Sequence, residues 1–190
     1  EMIIDSYNQI WINVRGIGIL VFDPLRNQTA FLKNEAGKGN LPVSDVRSIA
    51  EDKDGQVWVG TSKGVAVFYS PGSIFSGSNY DAQQILVTQN SINQYLLAAE
   101  TVTSITVDGA NRKWFGTQNS GVFLTSADGT KQLLSFNKEN SPLPSNRISA
   151  ITINDKTGEV FFVLALFFLP RDGRHATLYQ RADGGCAVFC

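Results

Sequence analysis

The chain has 190 residues, a formal net charge of -1 and 43% apolar residues. That length supports one domain with its own core, and the near-neutral charge excludes a general nucleic-acid-binding surface. The longest apolar run, Val163 to Leu169, falls far below the ~20 residues needed to cross a bilayer, which excludes a membrane span in this stretch.

The first unit, near 1–40, carries Gln9-Ile-Trp-Ile-Asn-Val-Arg-Gly-Ile-Gly-Ile19. The second, near 41–99, repeats that pattern in fuller form. An alternating segment Val46–Ala50 leads to the polar turn Asp52-Lys-Asp-Gly55. A strand Gln56–Thr61, a tight Ser62-Lys-Gly64 turn and a strand Val65–Tyr69 follow. Period-two alternation bounded by Asp, Asn and Gly clusters predicts antiparallel hairpins. Gly55 and Gly64 are expected at positive φ, and Gly60 where two backbones approach. The fourth strand of this unit is expected near Ile85–Gln89. The third unit, near 100–141, repeats the order from Val102 to Val122 and is expected to end on a strand at Lys131–Asn137. A fourth, near 142–162, starts at Ile148 and stops at Phe162.

Trp11, Trp58, Trp114 and Phe161 recur at intervals of 47, 56 and 47 residues. A period in that range, with several short strands per unit, predicts a β-propeller. The fold class is therefore all-β: a propeller fragment of about 3.5 four-stranded blades. The longer middle interval places an insertion within 71–99. Residues at one fixed blade position pack between blades, so the tryptophans are assigned to the core rather than to ligand stacking. Residues 163–190 leave the pattern, as a shifted reading frame would produce. They hold His175, Cys186 and Cys190, the only histidine and cysteines of the chain. The targeting segment, if the protein has one, is expected upstream of Glu1.

No nucleophile–base pair or metal-ligand cluster stands out, so no enzyme, cofactor or metal is expected. Asp52-Lys-Asp-Gly55 has a faint likeness to a calcium loop. It lacks the distal glutamate and recurs as a turn in the sister units, which favours a plain hairpin. Asn27-Gln-Thr29 is a formal glycosylation sequon. The candidate ligand-binding residues are Tyr80 and Tyr95, in or beside the insertion with Phe75, and the repeat-related bases Arg47, Arg112 and Arg147. Lys113 joins those bases. A solvated rim is the competing reading for all of them.

The repeat Ser48-Ile-Ala-Glu-Asp-Lys-Asp-Gly-Gln-Val-Trp-Val-Gly-Thr-Ser-Lys-Gly-Val65, opened by Leu41-Pro-Val-Ser-Asp-Val-Arg47, closely resembles the two-component regulator propeller repeat. The stretch from Tyr95 to Val122, with Ser126-Ala-Asp-Gly-Thr130 and Phe136–Asn146, resembles the last propeller of PorZ-type proteins of the type IX secretion system. This resemblance implies seven-bladed rings, so the remaining blades of the full-length chain are expected partners. It further implies an extracytoplasmic setting, at the bacterial outer-membrane surface or in the periplasm. The implied function is non-catalytic, assisting a sortase in attaching cargo to the surface and binding anionic lipopolysaccharide. The other implied setting is the glycan-sensing periplasmic ectodomain of a hybrid two-component histidine kinase. No family catalytic residue maps onto the chain.

The repeat predicts that Val46, Ile49, Val57, Trp58, Val65, Val67, Val102, Ile105, Trp114, Ile148 and Ile151 are buried. It also predicts apolar open faces at Ile10–Val14 and Val160–Leu169, and hence self-association of residues 1–190 expressed alone.

Overall fold

A computed structural model describes residues 1–77, 80–89, 92–164, 177–181 and 186–189. Its strands are antiparallel and fall into four consecutive blades. The first runs β1 (Met2–Ile4), β2 (Ile10–Val14), β3 (Gly18–Asp23) and β4 (Gln28–Leu32). The second holds β5 (Val46–Glu51), β6 (Val57–Thr61) and β7 (Gly64–Phe68), followed by a separate hairpin of β8 (Leu86–Gln89) and β9 (Ile92–Tyr95). The third contains β10 (Val102–Val107), β11 (Lys113–Thr117), β12 (Val122–Thr125) and β13 (Gln132–Phe136). The fourth contains β14 (Ile148–Ile153), β15 (Val160–Leu164), β16 (Thr177–Arg181) and β17 (Cys186–Phe189).

Within each sheet the strands pair in chain order, and only β7 and β8 are consecutive strands of one blade that do not pair. The first strands β1, β5, β10 and β14 pack against one another and form the inner wall. Gly55 and Gly64 have φ of +74° and +84°, as their turns demand. A Cβ on Gly60 would lie 2.8 Å from Val102 Cγ1, so this glycine is where the third blade closes on the second.

The expected fourth strand of the second unit is displaced. Gln83 bridges Val67, with both backbone N–H groups donating across the pair at 2.9 Å, and Leu86–Gln89 leaves the blade to pair with β9. The insertion thus replaces a regular outer strand with a short bridge and a projecting hairpin. The strand expected at 131–137 is present as β13. Most of the anomalous tail lies outside the described residues. Val163 and Leu164 lengthen β15; β16 pairs onto it, and β17 pairs onto β16.

The core is a series of interfaces between blades, and the repeat explains its spacing. Each unit's aromatic ring meets a phenylalanine of the next blade. Trp11 lies 5.3 Å from Phe68, Trp58 6.1 Å from Phe115, and Trp114 6.0 Å from Phe162. All eleven residues expected to be buried are so, with Trp58 wholly enclosed. Phe161, the equivalent of the tryptophans, is half-buried.

The open faces differ from expectation at one end. In the first blade Met2 and Ile4 are exposed, and their register partners Ile12 and Ile10 are half-buried. Leu20, Phe22 and Phe31 continue the same face through β3 and β4. At the other end, Val160, Phe162 and Leu164 are buried against the third blade. Alternation sends only Phe161 and Val163 to the far side. Residues 165–169 of that expected face lie outside the described residues.

Each tryptophan is held by an aspartate six residues earlier. The indole Nε1 donates to Oδ2 of Asp5 at 2.8 Å, of Asp52 at 2.8 Å and of Asp108 at 3.3 Å. The other oxygen of each aspartate accepts two amide N–H groups of its own turn, for Asp52 those of Asp54 and Gln56. Asp52 is therefore a structural clasp whose oxygens are engaged by protein donors, and the turn reading stands over the calcium loop. In the fourth blade both members change together. Asn154 accepts from the amide of Lys156, and Phe161 has no N–H to offer.

Candidate anion-binding cavity at the propeller axis

Three inner strands carry the same irregularity. The register of β5 on β6 shifts between Val46 and Ser48, leaving Arg47 as the extra residue. Thr103 of β10 and Ser149 of β14 are the extra residues at matching shifts. A bulge of this kind re-aims its side chain and recurs beside functional sites. Here all three bulged residues line one cavity of about 450 Å³. Glu1, Asn13, Arg15, Val46, Gln118, Arg147 and Ile148 complete its wall. Arg15 and Gln118 stand at equivalent positions, just after the second strand of their blades. The cavity therefore sits at one end of the inner wall, with contributions from every blade.

Three guanidinium groups face one carboxylate among its lining residues. Arg47 Nη2 pairs with Asp45 Oδ2 at 2.7 Å, which steadies the side chain. Asn13 Nδ2 donates to the carbonyl of Val46 at 3.0 Å, tying the first blade to the second bulge. Thr103 Oγ1 donates to the carbonyl of Ile148, tying the third blade to the fourth. Glu1 Oε2 accepts the Ile49 amide at 2.8 Å. Burial pushes the Glu1 carboxyl above its ordinary range, against the opposing pull of that amide. Among the described residues, Arg47 Nε and Asn13 Oδ1 are buried without a hydrogen-bond partner. A buried polar atom left without a partner costs free energy, so Arg47 Nε suits an acceptor, and Asn13 Oδ1 a hydroxyl donor, of a polar guest. Arginines matched to an oxyanion form short, charge-assisted and often bidentate hydrogen bonds.

The cavity unites Arg47 and Arg147 and leaves out the other candidates. Arg112 immediately precedes β11 at the far end of its blade, roughly 20 Å away by the length of an inner strand. There its Nε donates to Asp108 Oδ2 at 2.7 Å. Lys113 is no rim base. Its Nζ is enclosed, 2.8 Å from Asp52 Oδ2 and 4.6 Å above the Trp58 ring, and it also donates to the carbonyls of Asn111 and Ala127. Tyr80 is half-buried against the first inter-blade core, its hydroxyl donating to the carbonyl of Gly37, and Phe75 packs on the same core. Tyr95 is exposed and lines a separate cleft of about 710 Å³ between the β8–β9 hairpin and the third blade. Sequence reasoning missed Arg15, Asn13 and the bulges. Arg15 carried a signal, since it follows the second strand just as Gln118 does.

Comparison with known proteins accords with this architecture. Residues 40–63 match the family profile described as "Two component regulator propeller". The chain carries a two component regulator propeller repeat. It is similar to PorZ, a surface component of the type-IX secretion system of Porphyromonas gingivalis. The TM-score is 0.74 and the identity 28%, over 85% of this chain and 24% of that one. Histidine kinase P4 of Formosa agariphila is 31% identical over 105 residues, which are 54% of this chain and 7% of the kinase. The extracellular domain of a protein described as a hybrid two component system of B. thetaiotaomicron has the same fold. There the TM-score is 0.67 and the identity 20%, over 99% of this chain and 28% of that one. The chain thus spans a quarter or less of PorZ and of the kinase. These neighbours are surface or extracellular domains, and no described helix here is long and apolar enough to cross a membrane.

Proposed function

We propose that the chain is part of a non-catalytic, extracytoplasmic propeller that binds an acidic glycan at its axis. The observation that carries this reading is the cavity where three bulged strands meet Arg15, Arg47 and Arg147. The repeated carboxylates support the non-catalytic part. Asp5, Asp52 and Asp108 are each spent on a turn and an indole, far from that cavity. In the PorZ-like setting the protein sits at the outer surface, binds anionic lipopolysaccharide and assists a sortase in attaching cargo. Similarity to PorZ over 85% of the chain favours this setting.

Similarity to histidine kinase P4 favours a second setting, the periplasmic ectodomain of a hybrid two-component kinase. There the same cavity would report an acidic glycan to the cell. Deleting the gene separates the two. Loss of cargo from the cell surface with transcription intact supports the secretion role. Loss of glycan-induced transcription with surface cargo intact supports the sensor. An Arg47→Gln protein that binds acidic glycans as well as wild type would remove the basis for both.

A further inference from the structure

The axis cavity has a neighbour. Gln118 and Arg147 line it, and the same two side chains line a second cavity of about 360 Å³. Asn119, Lys138, Pro144, Ser145 and Asn146 form the rest of that second cavity. Its walls are the turn between β11 and β12 and the loop between β13 and β14. Basic groups stand along the whole path: Arg15 and Arg47 at the axis, Arg147 where the cavities meet, and Lys138 on the rim. The Lys138 ammonium makes an exposed pair with Glu139 at 3.6 Å, an interaction of little strength in water.

We propose that the two cavities form one groove for a linear acidic oligosaccharide, with at least one acid group at the axis and another at the rim. This rests on the reading that the axis cavity binds an acidic glycan, and it adds the length of the ligand and a second acid-binding position at the rim. Both cavities fall within or near the size range of small-ligand sites, so each accommodates a separate part of a chain. Between the charges the lining is mostly amide and hydroxyl: Asn13, Thr103, Gln118, Asn119, Ser145, Asn146 and Ser149. Only Val46, Ile148 and Pro144 are apolar. Such a surface suits a ligand covered in hydroxyl groups. It offers no row of apolar pockets for the side chains of an acidic peptide. Two linked acid groups also gain affinity through effective concentration, because the second binds intramolecularly.

Calorimetric titration of the full-length protein at low salt tests this, with galacturonate, trigalacturonate, neutral maltotriose and triglutamate as probes. Trigalacturonate is expected to bind at least ten-fold more tightly than galacturonate, and maltotriose not at all. Lys138→Gln is expected to remove most of that gain. Arg47→Gln weakens both acidic sugars, and Arg112→Gln, at the far end of the blade, weakens neither. Equal affinity for one and three sugar units, or a length dependence untouched by Lys138→Gln, overturns the groove while the axis site survives. Triglutamate binding as tightly as trigalacturonate overturns the sugar assignment. No binding of any acidic sugar to the wild-type protein overturns both readings. Unchanged thermal unfolding of each variant shows that folding is not the cause.

Discussion

Removing the buried lysine is expected to be the most damaging single charge change in these blades. Lys113 and Asp52 are 0% and 1% exposed, and their contact joins the second blade to the third. Lys113→Ala leaves the Asp52 carboxylate enclosed with only its turn amides and the Trp58 indole. Breaking a buried pair from one side costs about 3–5 kcal/mol, because the remaining charge is stranded. The ammonium also sits over the Trp58 ring, a contact of about 1–2 kcal/mol in a dry site. Lys113→Met retains much of the volume and should still cost about 3 kcal/mol, since the stranded charge dominates. In an Asp52→Asn background no charge is stranded, and the same change should cost much less. Urea unfolding followed by tryptophan fluorescence reads each protein, and the cycle of wild type, Lys113→Ala, Asp52→Asn and the double variant gives the coupling. The pH dependence has a definite sign. Burial raises the Asp52 carboxyl, but Lys113, the Gln56 amide and the Trp58 indole outweigh it and hold the group below its ordinary value of 3.8. Its contribution is therefore present above that value and lost as pH falls through the lower folded-state value. A Lys113→Ala cost under about 1 kcal/mol, or one independent of residue 52, would refute the buried-pair argument.

The clasp of the first blade should behave in the opposite sense with pH. Burial raises the Asp5 carboxyl despite the Trp11 indole and the Gln9 and Tyr7 amides, so its contribution is complete below 3.8 and declines as pH rises through the raised value. Asp5→Asn and Trp11→Phe should each destabilise by more than about 1 kcal/mol, yet show clear coupling, because together they recreate the Asn154 and Phe161 pairing of the fourth blade. Additive effects in a thermal double-mutant cycle would argue against the clasp. Gly121→Ala should cost more than about 2 kcal/mol, since Gly121 has φ of +85° and its Cβ would lie 2.1 Å from the Phe136 carbonyl oxygen. Gly16→Ala, at φ of +75° with no atom within 4 Å, should cost about 1 kcal/mol, and equal losses in a melting assay would contradict the contact. Residues 1–190 alone should self-associate through Met2, Ile4 and Phe31, which are 61%, 60% and 50% exposed on one sheet face. Ile4→Glu with Phe31→Glu should shift sedimentation toward monomer, whereas a wild-type chain that is monomeric at micromolar concentration would show the face to be harmless.

Much of the blade was legible because its causes are local. Alternation places side chains on two faces, and Gly55 and Gly64 close turns that need positive φ, so strands and their hairpins follow from short windows. The recurrence of Trp11, Trp58 and Trp114 carried the next level, since equivalent residues in stacked repeats meet equivalent neighbours. The candidate cavity depended on relations between strands. Arg47, Thr103 and Ser149 turn toward the axis because each is one residue too many against its partner strand, and register belongs to the pair rather than to either sequence. Arg112 and Arg47 look alike as bases near strand ends, yet the hairpin sends those ends to opposite sides of the blade. Lys113 reads as a solvated base opening a strand, and only the arrival of Asp52 from the neighbouring blade makes its burial tolerable. Local chemistry determined the strands, turns and repeat, while the packing of one blade on the next decided which charges are buried and which line one cavity at the axis.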